Sequence, residues 1–260
     1  MDLAEKNREA WNMVSKQECD WSLPVSDEAM RKARSGEWSV RLTPKKAVPA
    51  DWFPALHGLD ILCLASGGGQ QAPILAAAGA NVTSLDISEE QLAKDATVAR
   101  DHGLSLDIQR GEMTDLCAFE SESFDLVFNP ASNLFIPDVT PLWQESFRVL
   151  KQGGCLCSGS MNPSFFLFDH DDAIQSGILK VQFPLPYSDL GSLTTNQEAA
   201  MRQHRNTIEF GHTLEDLIGG QIKCGFQLTG FYEDYWDDAA TLLNLYSPTS
   251  FATRAEKPRT

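Results

Sequence analysis

The stretch LCLASGGGQQAPILAAAGANVTSLD, residues 62–86, carries the residue types best spaced for chemistry. An apolar run enters Gly67-Gly68-Gly69, and a helical stretch follows at once. Glycine lets the backbone turn tightly and come close to a ligand where a Cβ would collide. The helix start behind it offers free N–H groups. A second apolar run then ends in Asp86, 17 residues after Gly69. An acid in that place can accept hydrogen bonds from both hydroxyls of a ribose. Gly67, Gly69 and Ala72 also satisfy the G-x-G-x-x-A spacing of dinucleotide-binding turns, so the turn alone leaves a nicotinamide oxidoreductase open.

Three further blocks follow in order: GEMTDL (111–116), ESFDLVFNPASN (122–133) and FRVLKQGG (147–154). The ordered set resembles the class I S-adenosylmethionine-dependent methyltransferases over residues 58–161, and more loosely over 212–256. It is similar to a group of small bacterial methyltransferase-like proteins that share the CLASGGGQQ turn, a GEWSVRLTP-like arm and an HTLED…GGQ…GF…GFYED end. The resemblance implies S-adenosyl-L-methionine as cofactor and S-adenosyl-L-homocysteine as product. It places the methionine part against Ala65, Ser66, Gly67 and Gly69, and the ribose on Asp86. Glu112 and Met113 would bracket the adenine, and Asn129 would lie beside the sulfonium. The family often has an acid where Cys63 stands and a glycine where Ala65 stands. Those departures keep open a non-catalytic member of the fold that binds an adenosyl ligand or a protein partner.

NPAS (129–132) resembles half of the motif used by amino-group methyltransferases, with Ala131 and Ser132 where a proline and an aromatic would stand. Methyl transfer from a sulfonium needs in-line approach away from water, and a base only where the nucleophile must lose a proton. No catalytic residue is therefore assigned. Ligands of open parallel sheets sit beyond the carboxyl ends of the strands. This gives Asn133, His212, Trp38, Tyr187 and Glu233 as candidates for contact with a small-molecule acceptor.

The elements that must position these groups alternate. Strands are expected at 59–65, 81–86, 105–109, 124–129, 155–161, 227–233 and 250–256. Helices are expected at 70–78 with Gly79 closing, from Ser88 to His102, from Thr140 to a stop at Gly153-Gly154, and from Thr213 to Cys224. The pattern implies an α/β, Rossmann-like fold: a mostly parallel seven-stranded sheet with helices on both faces. Residues 1–57 hold four tryptophans and no clear strand, and read as an arm packing on a domain of residues 58–260. Residues 162–211 interrupt the rhythm after the fifth strand, as a lid-like insertion would.

The chain has 260 residues and a formal net charge of −15. Such an acidic balance disfavours nucleic acid or an anionic membrane as partner, because phosphate needs clustered Lys and Arg. Six cysteines without a C-x-x-C pair, and no signal-like or spanning segment, read as a reduced cytoplasmic protein. Five scattered histidines give no metal site.

Overall fold

The computed structural model describes residues 2–17, 20–194 and 207–259. Cys19, His204 and the 195–206 part of the insertion lie outside the described residues. Helix α1 (Leu3–Lys16) starts where the Asp2 carboxylate accepts the Glu5 amide, and α2 (Asp27–Arg34) where Ser26 accepts that of Ala29. The chain then runs without a strand to β1 (Asp60–Leu64).

From β1 the strands and helices alternate: α3 (Gln71–Ala77), β2 (Asn81–Asp86), α4 (Glu89–His102), β3 (Leu106–Arg110), β4 (Phe124–Asn129), α5 (Thr140–Val149) and β5 (Leu150–Met161). The insertion holds α6 (His170–Ser176), β6 (Tyr187–Ser188), α7 (Asp189–Ser192) and β7 (Phe210–Gly211). A wide-turn helical segment, Glu215–Gly219, leads into α8 (Gly220–Lys223), then β8 (Gln227–Asp234) and β9 (Ser250–Glu256). Gly79 (φ +104°) closes α3, and Thr213 and Asp216 cap the segment before α8 reciprocally.

Seven strands form one sheet in the order β3-β2-β1-β4-β5-β9-β8. β1 to β5 are parallel, while β9 lies antiparallel between β5 and β8. One expectation is corrected. α5 ends at Val149, and Gly153-Gly154 lie inside β5 rather than stopping a helix. Gly153 takes φ +79°, and the β4–β5 register shifts between Phe124 and Leu126, so the pair serves a bulge.

Alternation along the strands makes two cores. Ile61, Cys63, Leu126, Phe128 and Cys157 face one side, where Val40, Leu42 and Trp52 of the N-terminal segment cover them. Leu62, Leu64, Val127 and Leu156 face the other, against Leu142 and Trp143 of α5. Five described cysteines are free thiols: Cys63, Cys155 and Cys157 are buried, Cys224 is half-buried and Cys117 is exposed. The insertion has its own small core of Phe166, Phe183 and Tyr187 against Leu134 and Met161. Among the described residues no helix is long and apolar enough to cross a membrane, and no group of three His, Cys, Asp or Glu could hold a metal ion.

Candidate functional site

In-register pairing of Leu64 with Leu85, and of Asp86 with Arg110, brings the carboxyl ends of β1, β2 and β3 to one edge, beside that of β4. The chain leaves β1 through Ala65, which takes φ +45° with its amide on the Leu85 carbonyl. This left-handed backbone is costly for any residue with a Cβ. Gly68 (φ +109°) and Gly69 (φ +75°) continue the turn. A Cβ on Gly67 would stand 2.7 Å from the Cβ of Gln91, so only glycine fits against α4 there.

The three glycine amides are all bound internally. That of Gly67 donates to Asp86 Oδ2 (3.0 Å), that of Gly68 to the Gln91 carbonyl (2.9 Å), and that of Gly69 to Asp95 Oδ1 (2.6 Å). None of the three glycine amides is free for a ligand, because two carboxyl groups and a carbonyl already take them. Asp86 also accepts the Ser88 amide on Oδ1 at 2.8 Å, and Ser88 accepts that of Gln91. Burial pushes the Asp86 carboxyl up to about 6 against the pull of these amides, and Asp95 up to about 7. The amides of Gly67, Ser88 and Ile87 all act on the Asp86 carboxylate, whose two oxygens offer about four acceptor positions, so capacity remains for a further donor. The Ser66 hydroxyl is buried and has no hydrogen-bond partner among the described residues.

The N-terminal segment closes over this turn. The Val25 amide donates to the Gly69 carbonyl, and Gln70 Nε2 donates to the carbonyls of Asp20 and Leu23. Lys94 reaches from α4 to the carbonyls of Ser15 and Ser22. On α1, Asn12 Oδ1 accepts the Ser88 hydroxyl, and Arg8 pairs with Glu89. Trp11 meets Phe135 edge-on at 5.2 Å, and Trp21 stacks on Trp236 at 5.1 Å.

Beyond β3, the Gly111 amide donates to the Asp86 carbonyl, which brings the following residues to the same edge. Glu112 is exposed there, whereas Met113 is buried with its Sδ near Asn129 Nδ2 (3.8 Å) and Ser132 Oγ (3.6 Å). Asn129 is fully buried: its Nδ2 donates to Ser132 Oγ (2.9 Å) and its Oδ1 accepts the Ser158 hydroxyl (3.2 Å). Its side chain therefore builds the end of β4 from within.

The acceptor candidates divide. Asn133 and His212 come together: His212 Nε2 lies 3.0 Å from the Asn133 carbonyl, and Asn133 Nδ2 donates to the Gly159 carbonyl and Ser160 Oγ. Burial holds the His212 pKa below its usual value. Tyr187 sits inside the insertion's core, with its hydroxyl 2.7 Å from Asp189 Oδ1. Trp38 packs edge-on to Phe53 at 5.0 Å, against the core beneath the sheet. Glu233 is exposed, and its neighbour Asp234 is the fixed acid, buried and accepting the Thr43 hydroxyl and the amides of Lys45 and Lys46. Asp95 was not among the residues expected at the site. Its signal was an acid three residues from both Leu92 and Val98, on the inward stripe of an amphipathic helix.

These groups fit an adenosyl-sulfur cofactor better than a dinucleotide. Asp86 has acceptor capacity for ribose hydroxyls, and buried carboxyl groups at the turn suit a positively charged sulfur. A pyrophosphate would meet those same carboxyl groups and no free glycine amide. A cleft of about 620 Å³, bordered by Asp60, Asn81 and Asp107, lies at the opposite, amino edge of the sheet.

Comparison with known proteins agrees. Residues 62–158 match the model of a methyltransferase domain. The chain is 45% identical over 255 residues to the uncharacterised methyltransferase YbaJ of Bacillus subtilis (strain 168), covering 98% of each. A ubiquinone biosynthesis O-methyltransferase of Hahella chejuensis is 35% identical over 120 residues, which is 44% of this chain and 49% of that one. The crystal structure of an S-adenosylmethionine-dependent methyltransferase from Mesorhizobium loti superposes with a TM-score of 0.62 at 19% identity, covering 79% of this chain and 94% of that one.

Proposed function

The chain belongs to the class I S-adenosylmethionine-dependent methyltransferases, and on that premise we propose that its acceptor is a small molecule held beneath α1 and the insertion. The observation that carries this reading is the cover. Residues 20–25 are bonded directly onto the glycine turn, while α1 reaches both α4 and the 133–135 loop. A site roofed in this way admits a small acceptor more readily than a duplex. The formal net charge of −15 also repels a phosphate backbone. The partial likeness to an O-methyltransferase of quinone synthesis supports the same class of acceptor.

When bound, the cofactor supplies a methyl group on a positively charged sulfur. In this reading Asp86 accepts from the ribose, and Ala65, Ser66, Gly67 and Gly69 flank the methionine part. Glu112 and Met113 lie along the adenine, and Asn129 and its neighbours at the end of β4 lie beside the reacting end. His212 Nε2 faces the Asn133 carbonyl, which puts the ring proton on Nε2 and ties the imidazole to the loop beside the acceptor. The arm and the insertion exclude water and hold the acceptor in line.

Purified protein, methyl-labelled cofactor and a fractionated metabolite extract, read by mass spectrometry, test the proposal. Label in a low-mass compound is expected. Label only in added oligonucleotide or protein would contradict the acceptor class.

A further inference from the structure

Asp95 is fully buried on α4 and bridges two other elements. Its Oδ1 takes the Gly69 amide at 2.6 Å, and its Oδ2 takes the Ser84 hydroxyl of β2 at 2.6 Å. Two titratable groups face it from the sheet: Asp86 at the end of β2, and the buried Cys63 thiol on β1. No described Lys or Arg stands among the groups that act on either acid. Lys94, one residue before Asp95, is turned away to the carbonyls of Ser15 and Ser22.

Two neighbouring carboxyl groups, both desolvated and neither with a counter-ion, are an expensive arrangement. Fixing the turn does not require it. An asparagine would accept the same Gly69 amide without burying charge. Strongly perturbed titratable groups concentrate at functional sites, and a cation arriving beside these two carboxyl groups would relieve their repulsion.

We propose that Asp95 is a positioning residue for the cofactor, fixing the Gly69 turn and, together with Asp86, supplying the negative potential that selects a ligand with a cationic methionine end. The inference rests on the cofactor reading above and deepens it. Without ligand, burial and, to a smaller extent, repulsion from Asp86 keep Asp95 partly protonated near neutral pH. Arrival of a cation ionises it, and the proton leaves to solvent. Binding is thereby linked to proton release.

Asp95→Asn tests this, because it keeps the shape and the amide bond while removing the charge. In the ligand-free protein a raised Asp pKa means that stability falls as pH rises from about 4 to about 7. The variant should lose part of that fall and melt about 3 °C above the parent at pH 7.5. Its affinity for S-adenosylmethionine should drop about tenfold, with adenosine, which lacks the methionine part, bound as before. The gain in stability follows from the buried charge alone, whereas a loss of affinity for S-adenosylmethionine but not for adenosine is what a merely structural brace would not produce. Unchanged affinity, or equal loss for adenosine, overturns the proposal. A check on the unaltered protein needs no variant. Calorimetry between pH 6 and pH 8 in two buffers of different ionisation enthalpy should show proton release on S-adenosylmethionine binding that fades as pH rises, and no release at any of these pH values overturns the proposal. If the parent binds neither S-adenosylmethionine nor S-adenosylhomocysteine, the cofactor reading itself fails.

Discussion

Asn7 on α1 and Ile208, just before β7, are joined in both directions. The Ile208 amide donates to Asn7 Oδ1 at 2.7 Å, and Asn7 Nδ2 donates to the Ile208 carbonyl at 3.1 Å. The same Nδ2 reaches the Phe135 carbonyl at 2.9 Å. One buried side chain therefore ties the N-terminal helix to the end of the insertion and to the loop after β4. Asn7→Ala would strand a buried amide and two carbonyls, a cost of about 1–3 kcal/mol per unsatisfied group. Hydrogen exchange in residues 3–16 and 207–211 should speed up while the strands stay protected. Unchanged exchange in both segments would show that the clip does not hold the cover.

Asp86 gives a pH dependence with a definite sign. Its pKa is raised in the fold to about 6, so in the ligand-free protein its ionisation costs stability between about pH 4 and pH 6. Ribose hydroxyls donate to the carboxylate form, so affinity acts the other way. The Asp86 contribution is complete well above pH 6 and falls as pH drops through 6, by up to about tenfold per unit. Titrations of S-adenosylhomocysteine from pH 5 to pH 8 check this, and a flat profile would place the ribose elsewhere.

Ala65 carries a left-handed backbone at φ +45° without being glycine. Ala65→Gly should relieve that strain, offset in part by the entropy of glycine in the unfolded chain, for a net gain of about 0.5–1 kcal/mol. Thermal melts of the two proteins should differ by about 2 °C in favour of glycine. A lower melting temperature for the variant would mean that the alanine methyl packs against its neighbours by more than the strain costs.

Gly159 on β5 is where the N-terminal segment lies against the sheet. A Cβ there would stand 1.9 Å from the Leu42 carbonyl oxygen, which accepts the Ala131 amide at 3.0 Å. Because the obstacle is backbone, Gly159→Ala should push residues 38–48 off the sheet and cost about 3 kcal/mol. Limited proteolysis should then cut within that segment, and a protease pattern like the parent's would refute the close approach.

The strands, the glycine turn and Asp86 were legible in the sequence because their signals are local: apolar runs of strand length, glycine punctuation and capping pairs at fixed offsets. Gly153-Gly154 misled because glycines after a helical stretch read as a stop, whereas the β4–β5 pairing, a long-range fact, makes them a bulge. The place of β9 between β5 and β8 is likewise set by pairing across the sheet. Asp95 escaped notice because its partners, Gly69 and Ser84, are 26 and 11 residues away. Asn129 and Asn133 were legible as strand-edge residues, but not the direction of their side chains, which turn inward to Ser132, Ser158 and Ser160. Trp38 was ambiguous by type, since a tryptophan serves packing as well as recognition, and its contact with Phe53 belongs to the core.

The central claim is that a glycine turn whose amides are held by Asp86 and Asp95 receives an adenosyl-sulfur cofactor and not a dinucleotide. Side-by-side calorimetric titration of the parent and Asp86→Ala with S-adenosylmethionine, S-adenosylhomocysteine and NAD tests it most directly. The account predicts that the parent binds both sulfur nucleosides and does not measurably bind NAD. In Asp86→Ala their binding should be weaker by about 1.5–3 kcal/mol, the range of a charge-assisted hydrogen bond. Binding of NAD with neither sulfur nucleoside bound, or unchanged affinities in a folded Asp86→Ala, would contradict it.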